Sequence, residues 1–118
     1  MKRANISNQI SDKTLVNQDL VNWQTKSIYF QLGNIGSEIG RALKWKNKNY
    51  KLANSAAERA LELLDWTLSD KQNIDGLKEI ARIREVFADS FYGDNQYNQT
   101  AQDWDRYFYC YSLAANSK

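Results

Sequence analysis

The chain has 118 residues, 42% of them hydrophobic and 25% charged, with no proline and no histidine. That length and balance suit one globular domain able to bury a core unaided, and frequent leucine and alanine without proline point to an all-α fold. A formal net charge of +2 is too small to mark a nucleic-acid binder, and the lack of histidine excludes histidine-based acid–base and nucleophile chemistry and the commonest zinc ligand.

A single cysteine, Cys110, rules out an intrachain disulfide and suggests a reducing, cytoplasmic setting. Its aromatic neighbours, "YFYCYS", predict a small buried hydrophobe rather than a nucleophile. Any metal site would have to be all carboxylate; we assign no metal, no cofactor and no catalytic residue. No stretch approaches the roughly 20 apolar residues of a membrane span, so no membrane association is expected. The opening "MKRANISNQISDK" has no apolar run after its cations and does not read as a secretory signal.

Residues 1–18 read as a polar N-terminal arm and 19–118 as an antiparallel four-helix bundle. The first helix is predicted from about Asp19 to Lys48. At about 100° per residue, Ile28, Leu32, Ile35, Ile39 and Leu43 share a stripe roughly 80° wide, flanked by Gly33, Gly36 and Gly40. These glycines predict a close helix–helix contact rather than a ligand loop, with the alanine face of the second helix as the expected neighbour. "GNIGSEIG" has neither the spacing nor the preceding strand of a dinucleotide fingerprint.

The second helix, about Lys51 to Ser69, sets Ala53, Ala56, Ala57, Ala60, Leu61, Leu64 and Leu68 on one face. Glu58, Glu62 and Asp65 lie opposite. "SDKQNIDG" reads as a loop with Asn73 or Asp75 as N-cap. The third helix, about Gly76 to Tyr92, aligns Leu77, Ile80, Ile83, Phe87 and Phe91, and Gly93 is expected to close it in a left-handed conformation. The fourth opens at Thr100 with Asp103 three residues on, a variant capping box, and turns Trp104, Tyr107, Phe108 and Tyr111 inward.

Four features stand outside this frame. Trp23, Phe30 and Trp45 fall on the polar side of the first helix and Trp66 at the edge of the second. They are the candidate partner-binding residues, because a bundle of this size has no need of a second apolar face. Arg41, Lys44, Lys46, Lys48 and Lys51 form a basic stretch without an acid, interleaved with Trp45 and Tyr50, and are the candidate nucleic-acid-binding set. Asp89 to Asp105 holds four acids and no cation, so the molecule has a basic and an acidic end. Arg84 falls on the apolar face of the third helix, where it needs a partner such as Glu58, Asp65 or Asp103.

The segments "SIYFQLGNIGSEIGRALKWK", "AERALELLDWTL", "RIREVFADSFYGDNQY" and "WDRYFYCYSLAAN" resemble a small bacterial family of four-helix-bundle proteins, which implies the fold and no activity. The layout also resembles HEPN-type bundles that accompany minimal nucleotidyltransferases, whose active members carry an arginine followed four to six residues later by histidine. Arg84 matches the arginine, but positions 89–91 are Asp, Ser and Phe. A third resemblance in layout is to the four-helix accessory proteins of diversity-generating retroelements. The sequence therefore reads as a non-enzymatic interaction module that forms homo-oligomers and docks a protein or ribonucleoprotein partner. A nucleic-acid-binding accessory subunit and a HEPN-like protein lacking the histidine are the alternatives.

Overall fold

The computed structural model describes residues 18–116, without the side chains of 71, 72, 74, 112 and 114–116. The arm expected over 1–18 lies outside these residues except for its last one. Every described element is helical: α1 (18–24), α2 (Ile28–Trp45), α3 (Tyr50–Leu68), α4 (Leu77–Tyr92) and α5 (Ala101–Asn116). A run of 3₁₀ turns over Lys71–Gly76 joins α3 to α4. Among the described residues no helix is long and apolar enough to cross a membrane.

The helix expected over 19–48 is two helices. Thr25 Oγ1 donates to the Asn22 carbonyl, and the Ser27 side chain accepts from the Phe30 amide as N-cap of α2. Hydroxyls this close to the backbone compete with the helical ladder, and here they end one helix and start the next. The described residues therefore hold five helices, not four. α2 itself buries Leu32, Ile35 and Ile39 of the expected stripe, together with Gln31 and Ala42, while Ile28 and Leu43 are partly buried.

α3 begins at an Asn49 cap whose side chain accepts from the Leu52 amide. It buries Ala53, Ala56, Ala57, Ala60, Leu63, Leu64 and Thr67. Neither Asn73 nor Asp75 caps α4; Gly76 holds the N-cap position without a side-chain bond. Gly93 is extended, at φ −104°, and not left-handed. The positive φ angles fall instead on Asn95 and Asn98, residue types that tolerate that region. The Thr100–Asp103 box forms as expected: the Thr100 amide donates to Asp103 Oδ2 at 3.0 Å and the Asp103 amide to Thr100 Oγ1 at 3.1 Å.

α2 packs closely against both α3 and α5, and α3 packs against α4. The glycines explain the second of α2's contacts. A Cβ on Gly36 would lie 2.5 Å from Phe108 Cγ, so only glycine lets the α5 ring sit against the α2 backbone. At Gly40 a Cβ would lie 3.8 Å from an Asp105 oxygen, an ordinary contact. The close approach expected against the alanine helix is thus made by Gly36 with α5. The alanines of α3 are buried without needing glycine opposite them.

Aromatic rings bridge α4 and α5 beside a cleft lined by Glu79, Arg82, Ile83, Val86, Gln99, Trp104 and Tyr107. Phe87 meets Trp104 edge-on at 6.3 Å between centroids, and Trp104 stacks on Phe108 at 5.9 Å. The Tyr107 hydroxyl bonds Glu79 across the same boundary. Burial and that carboxylate hold the Tyr107 hydroxyl protonated well beyond the usual phenol range.

Candidate protein-docking groove

With the helix broken at 25–27, Trp23, expected to face outward, is only 9% exposed. Its indole N–H donates to Thr67 Oγ1 at 2.9 Å, and Thr67 Oγ1 in turn donates to the Leu63 carbonyl at 2.9 Å. Gln31, fully buried, donates to the Trp23 carbonyl at 3.0 Å and accepts from Asn73 at 3.3 Å. Gln24 Nε2 reaches the Trp66 carbonyl and the Ser69 hydroxyl. This polar network pins α1 to α2, α3 and the 3₁₀ turn. Each buried donor in it has a partner, which is the condition for such a network to hold a structure rather than weaken it.

The sequence reading missed Gln31 and Thr67. Gln31 carries a legible signal, a polar residue four before Ile35 on the apolar stripe. Thr67 carries less, because its partner comes from a helix whose reversal is set by hydroxyls at 25 and 27.

Above this network runs a groove between α2 and α3. Glu38, Arg41 and Trp45 of α2 line it with Leu52, Ser55, Ala56 and Arg59 of α3. A separate cleft between α1 and α3 is lined by Asp19, Asn22, Trp23, Lys26, Arg59 and Trp66, so Arg59, which also pairs with Glu62, borders both. The Arg59 guanidinium lies over the Trp66 ring at 5.4 Å, Lys44 beside the Trp45 ring at 5.9 Å, and Lys26 over Phe30 at 5.4 Å. Phe30 leans on Trp23 at 6.3 Å between centroids. Three of the four candidate partner-binding residues line these two clefts, Trp45 and Trp66 half-buried and Trp23 buried, while Phe30 is exposed beside Trp23. Leu52, which the sequence reading passed over, is 51% exposed on the wall of the α2–α3 groove.

The basic stretch is dispersed by its own contacts. Arg41 pairs with Glu38 within α2. Lys44 attends Trp45, and Lys46 turns under to donate to the Ser90 carbonyl in the last turn of α4 at 3.0 Å, with its ammonium over Phe91. A lysine bonded to a terminal helix carbonyl also complements the helix dipole. Lys48 and Lys51 are exposed at the α2–α3 turn, on either side of an exposed Tyr50 that stacks on Phe91.

Arg84 takes one of its expected partners. Its Nε donates to Asp65 Oδ1 at 2.6 Å and a terminal nitrogen donates to Oδ2 at 3.3 Å, a two-pronged pair linking α4 to α3. The Asp65 bond raises the guanidinium's already high pKa. The pair is not buried: the Arg84 side chain is 39% exposed and that of Asp65 54%. Arginine's long stem lets its head reach the rim from an apolar face. Cys110 also departs from expectation, being exposed on the outer side of α5, with its thiol near the Tyr107 carbonyl. Among the described residues no three His, Cys, Asp or Glu side chains gather as a metal site would require. Comparison with protein-family models, curated proteins and solved structures finds no match to this chain.

Proposed function

We propose that this chain is a non-enzymatic helical-bundle interaction module that self-associates and docks a protein or ribonucleoprotein partner through the α2–α3 groove. The observation that carries this reading is the pair of clefts that meet at Arg59, lined by half-buried Trp45 and Trp66 and by exposed Leu52. Tryptophan and arginine dominate the energetically important positions of protein interfaces, and Trp45 and Trp66, packed on the core at one side, leave the rest of their rings at the surface.

Light scattering behind size exclusion tests it. The mass is expected to rise above that of one chain as concentration increases. Trp45→Ala removes a central ring and costs about 2 kcal/mol of association, or roughly a 30-fold weaker complex. A single-chain mass at every concentration, the same for wild type and variant, would overturn the self-association part.

The second reading, a nucleic-acid-binding accessory subunit, is favoured by Lys48 and Lys51 flanking the exposed Tyr50 ring. Four of the five cations in that stretch are exposed, Arg41 and Lys44 with contacts inside their own helix and Lys48 and Lys51 beside the ring, while Lys46 is engaged by α4. Binding of single-stranded RNA or DNA that weakens steeply with salt and is lost in Lys48→Glu/Lys51→Glu would favour it over the first. The HEPN-like reading has less support, with Arg84 engaged by Asp65 and no histidine in the chain.

A further inference from the structure

Among the described residues, the buried side-chain polar atom left without a hydrogen bond is Trp104 Nε1. The residue is 5% exposed, and its indole N–H is sealed from water. Buried donors are almost always paired, because removing one from water with nothing in return is unfavourable. Trp23 shows the ordinary case in this chain, with its indole N–H on Thr67 Oγ1. At Trp104 the acceptor is missing.

Trp104 lines the cleft between α4 and α5, and the rest of the lining has the same imbalance. Ile83 and Val86, both buried, give the cleft an apolar floor. Arg82 is exposed at its edge; its guanidinium rests over the Tyr97 ring at 5.8 Å and makes no ion pair among the described residues. Gln99 is half-buried and bonds Asn95 through its backbone amide and carbonyl, which leaves its side-chain amide unbonded among the described residues. The acid of the lining, Glu79, already accepts the Tyr107 hydroxyl. Trp104, Arg82 and Gln99 thus offer donors over an apolar floor, with no acceptor left for them.

Such a set suits a small carboxylate with an aliphatic body. The planar guanidinium matches a carboxylate in shape and charge, and an indole N–H can take one of its oxygens. A doubly charged phosphate suits it less, since it would bring more negative charge beside Glu79 and set polar oxygens against Ile83 and Val86. The cleft measures about 90 Å³. A cavity of about 150 Å³ accepts benzene, so the fitting molecule is smaller, of about three or four carbons. Reaching a sealed N–H requires a neighbour to give way. Arg82 and Gln99 are long side chains of the lining that no described side-chain hydrogen bond holds in place.

We propose that the α4–α5 cleft is a binding site for a short aliphatic carboxylate, its oxygens held by Arg82 and the Trp104 indole N–H and its chain laid on Ile83 and Val86. The site lies on other helices than the docking groove, and either can fail without the other.

Propionate is the probe. The chain has four tryptophans, so a proton–nitrogen correlation spectrum carries four indole resonances. That of Trp104 is identified by its loss in Trp104→Phe, or by its Overhauser contacts with the Phe87 ring beside it. At constant ionic strength, sodium propionate should move this resonance to saturation, with a midpoint at about millimolar concentration, as suits so small a ligand. Propionamide, which has the shape without the charge, and inorganic phosphate should each bind about tenfold more weakly or less. Arg82→Gln, at an exposed position, should keep the wild-type circular dichroism spectrum and weaken propionate by about tenfold.

A Trp104 resonance that stays in place, or drifts without saturating, overturns the site. Propionamide or phosphate binding as well as propionate overturns the carboxylate assignment, and unchanged affinity in Arg82→Gln overturns the role of the guanidinium.

Discussion

Thr67 shows what one oxygen does in this protein. It accepts the indole N–H of Trp23 and donates to Leu63 in its own helix, both at 2.9 Å and away from water. Thr67→Val keeps the shape and removes the oxygen, leaving a buried donor unpaired. Urea denaturation should register a loss of about 1–3 kcal/mol, with Thr67→Ser costing less because it retains the acceptor. Arg84 makes the opposite case. Its pair with Asp65 is well formed but a third or more exposed at each end, and exposed pairs contribute about 0–1 kcal/mol. Residue by residue, the sequence disclosed type more readily than surroundings. Arg84 visibly needed an acid and found one of those named for it, whereas Trp23 and Cys110 changed sides because their positions depend on where helices break and how they pack. A period of 3.6 carries no information about either.

Among the elements, α2 and α5 carry the clearest consequences. Gly36 and Gly40 sit one turn apart on α2 yet meet α5 differently, and alanine at each should act with opposite sign. Gly36→Ala forces a methyl into the Phe108 ring and should destabilise by about 1–3 kcal/mol. Gly40→Ala has room and should stabilise by up to about 1 kcal/mol through helix propensity. Equal stabilisation by both in chemical denaturation would mean that α5 does not approach α2 as closely as described. At the start of α5, the Thr100 amide and hydroxyl hold the Asp103 carboxyl below its ordinary value of 3.8. A depressed carboxyl contributes stability that is present above the ordinary value and lost as pH falls through the lowered one. The melting-temperature gap between wild type and Asp103→Asn should therefore be full near neutrality and close as the solution is taken below the usual carboxylate range. The Thr100–Asp103 spacing made this cap legible in the sequence, as apolar periodicity did for α3, α4 and α5. The α1–α2 break was not legible as a break, because Ile28 onward continues a stripe that runs smoothly back to helix-compatible residues. Hydroxyl competition at Thr25 and Ser27 decides it locally.

At the scale of the whole molecule, charge is divided along the chain: residues 41–51 carry five cations and no acid, and residues 89–105 carry four acids and no cation. The charge division was readable from the sequence. Arg59 and Trp66 stand two turns apart on α3 itself, but the placing of Trp45 beside Leu52 was not readable, since it depends on which helix flanks which. That same geometry moved the glycine contact from α3 to α5.

The short helix at the start has a mechanical meaning of its own. Backbone bonds do not run continuously from α1 into α2, so the two are joined as a hinge is, and α1 is held shut by the contacts of Trp23, Gln24 and Gln31. Segments fastened this way can open at a cost below that of unfolding the whole domain. Because Trp23 lines the cleft beside Trp66, the bonds that hold α1 also set the shape of that cleft, whereas the Trp45 cleft is built by α2 and α3 alone.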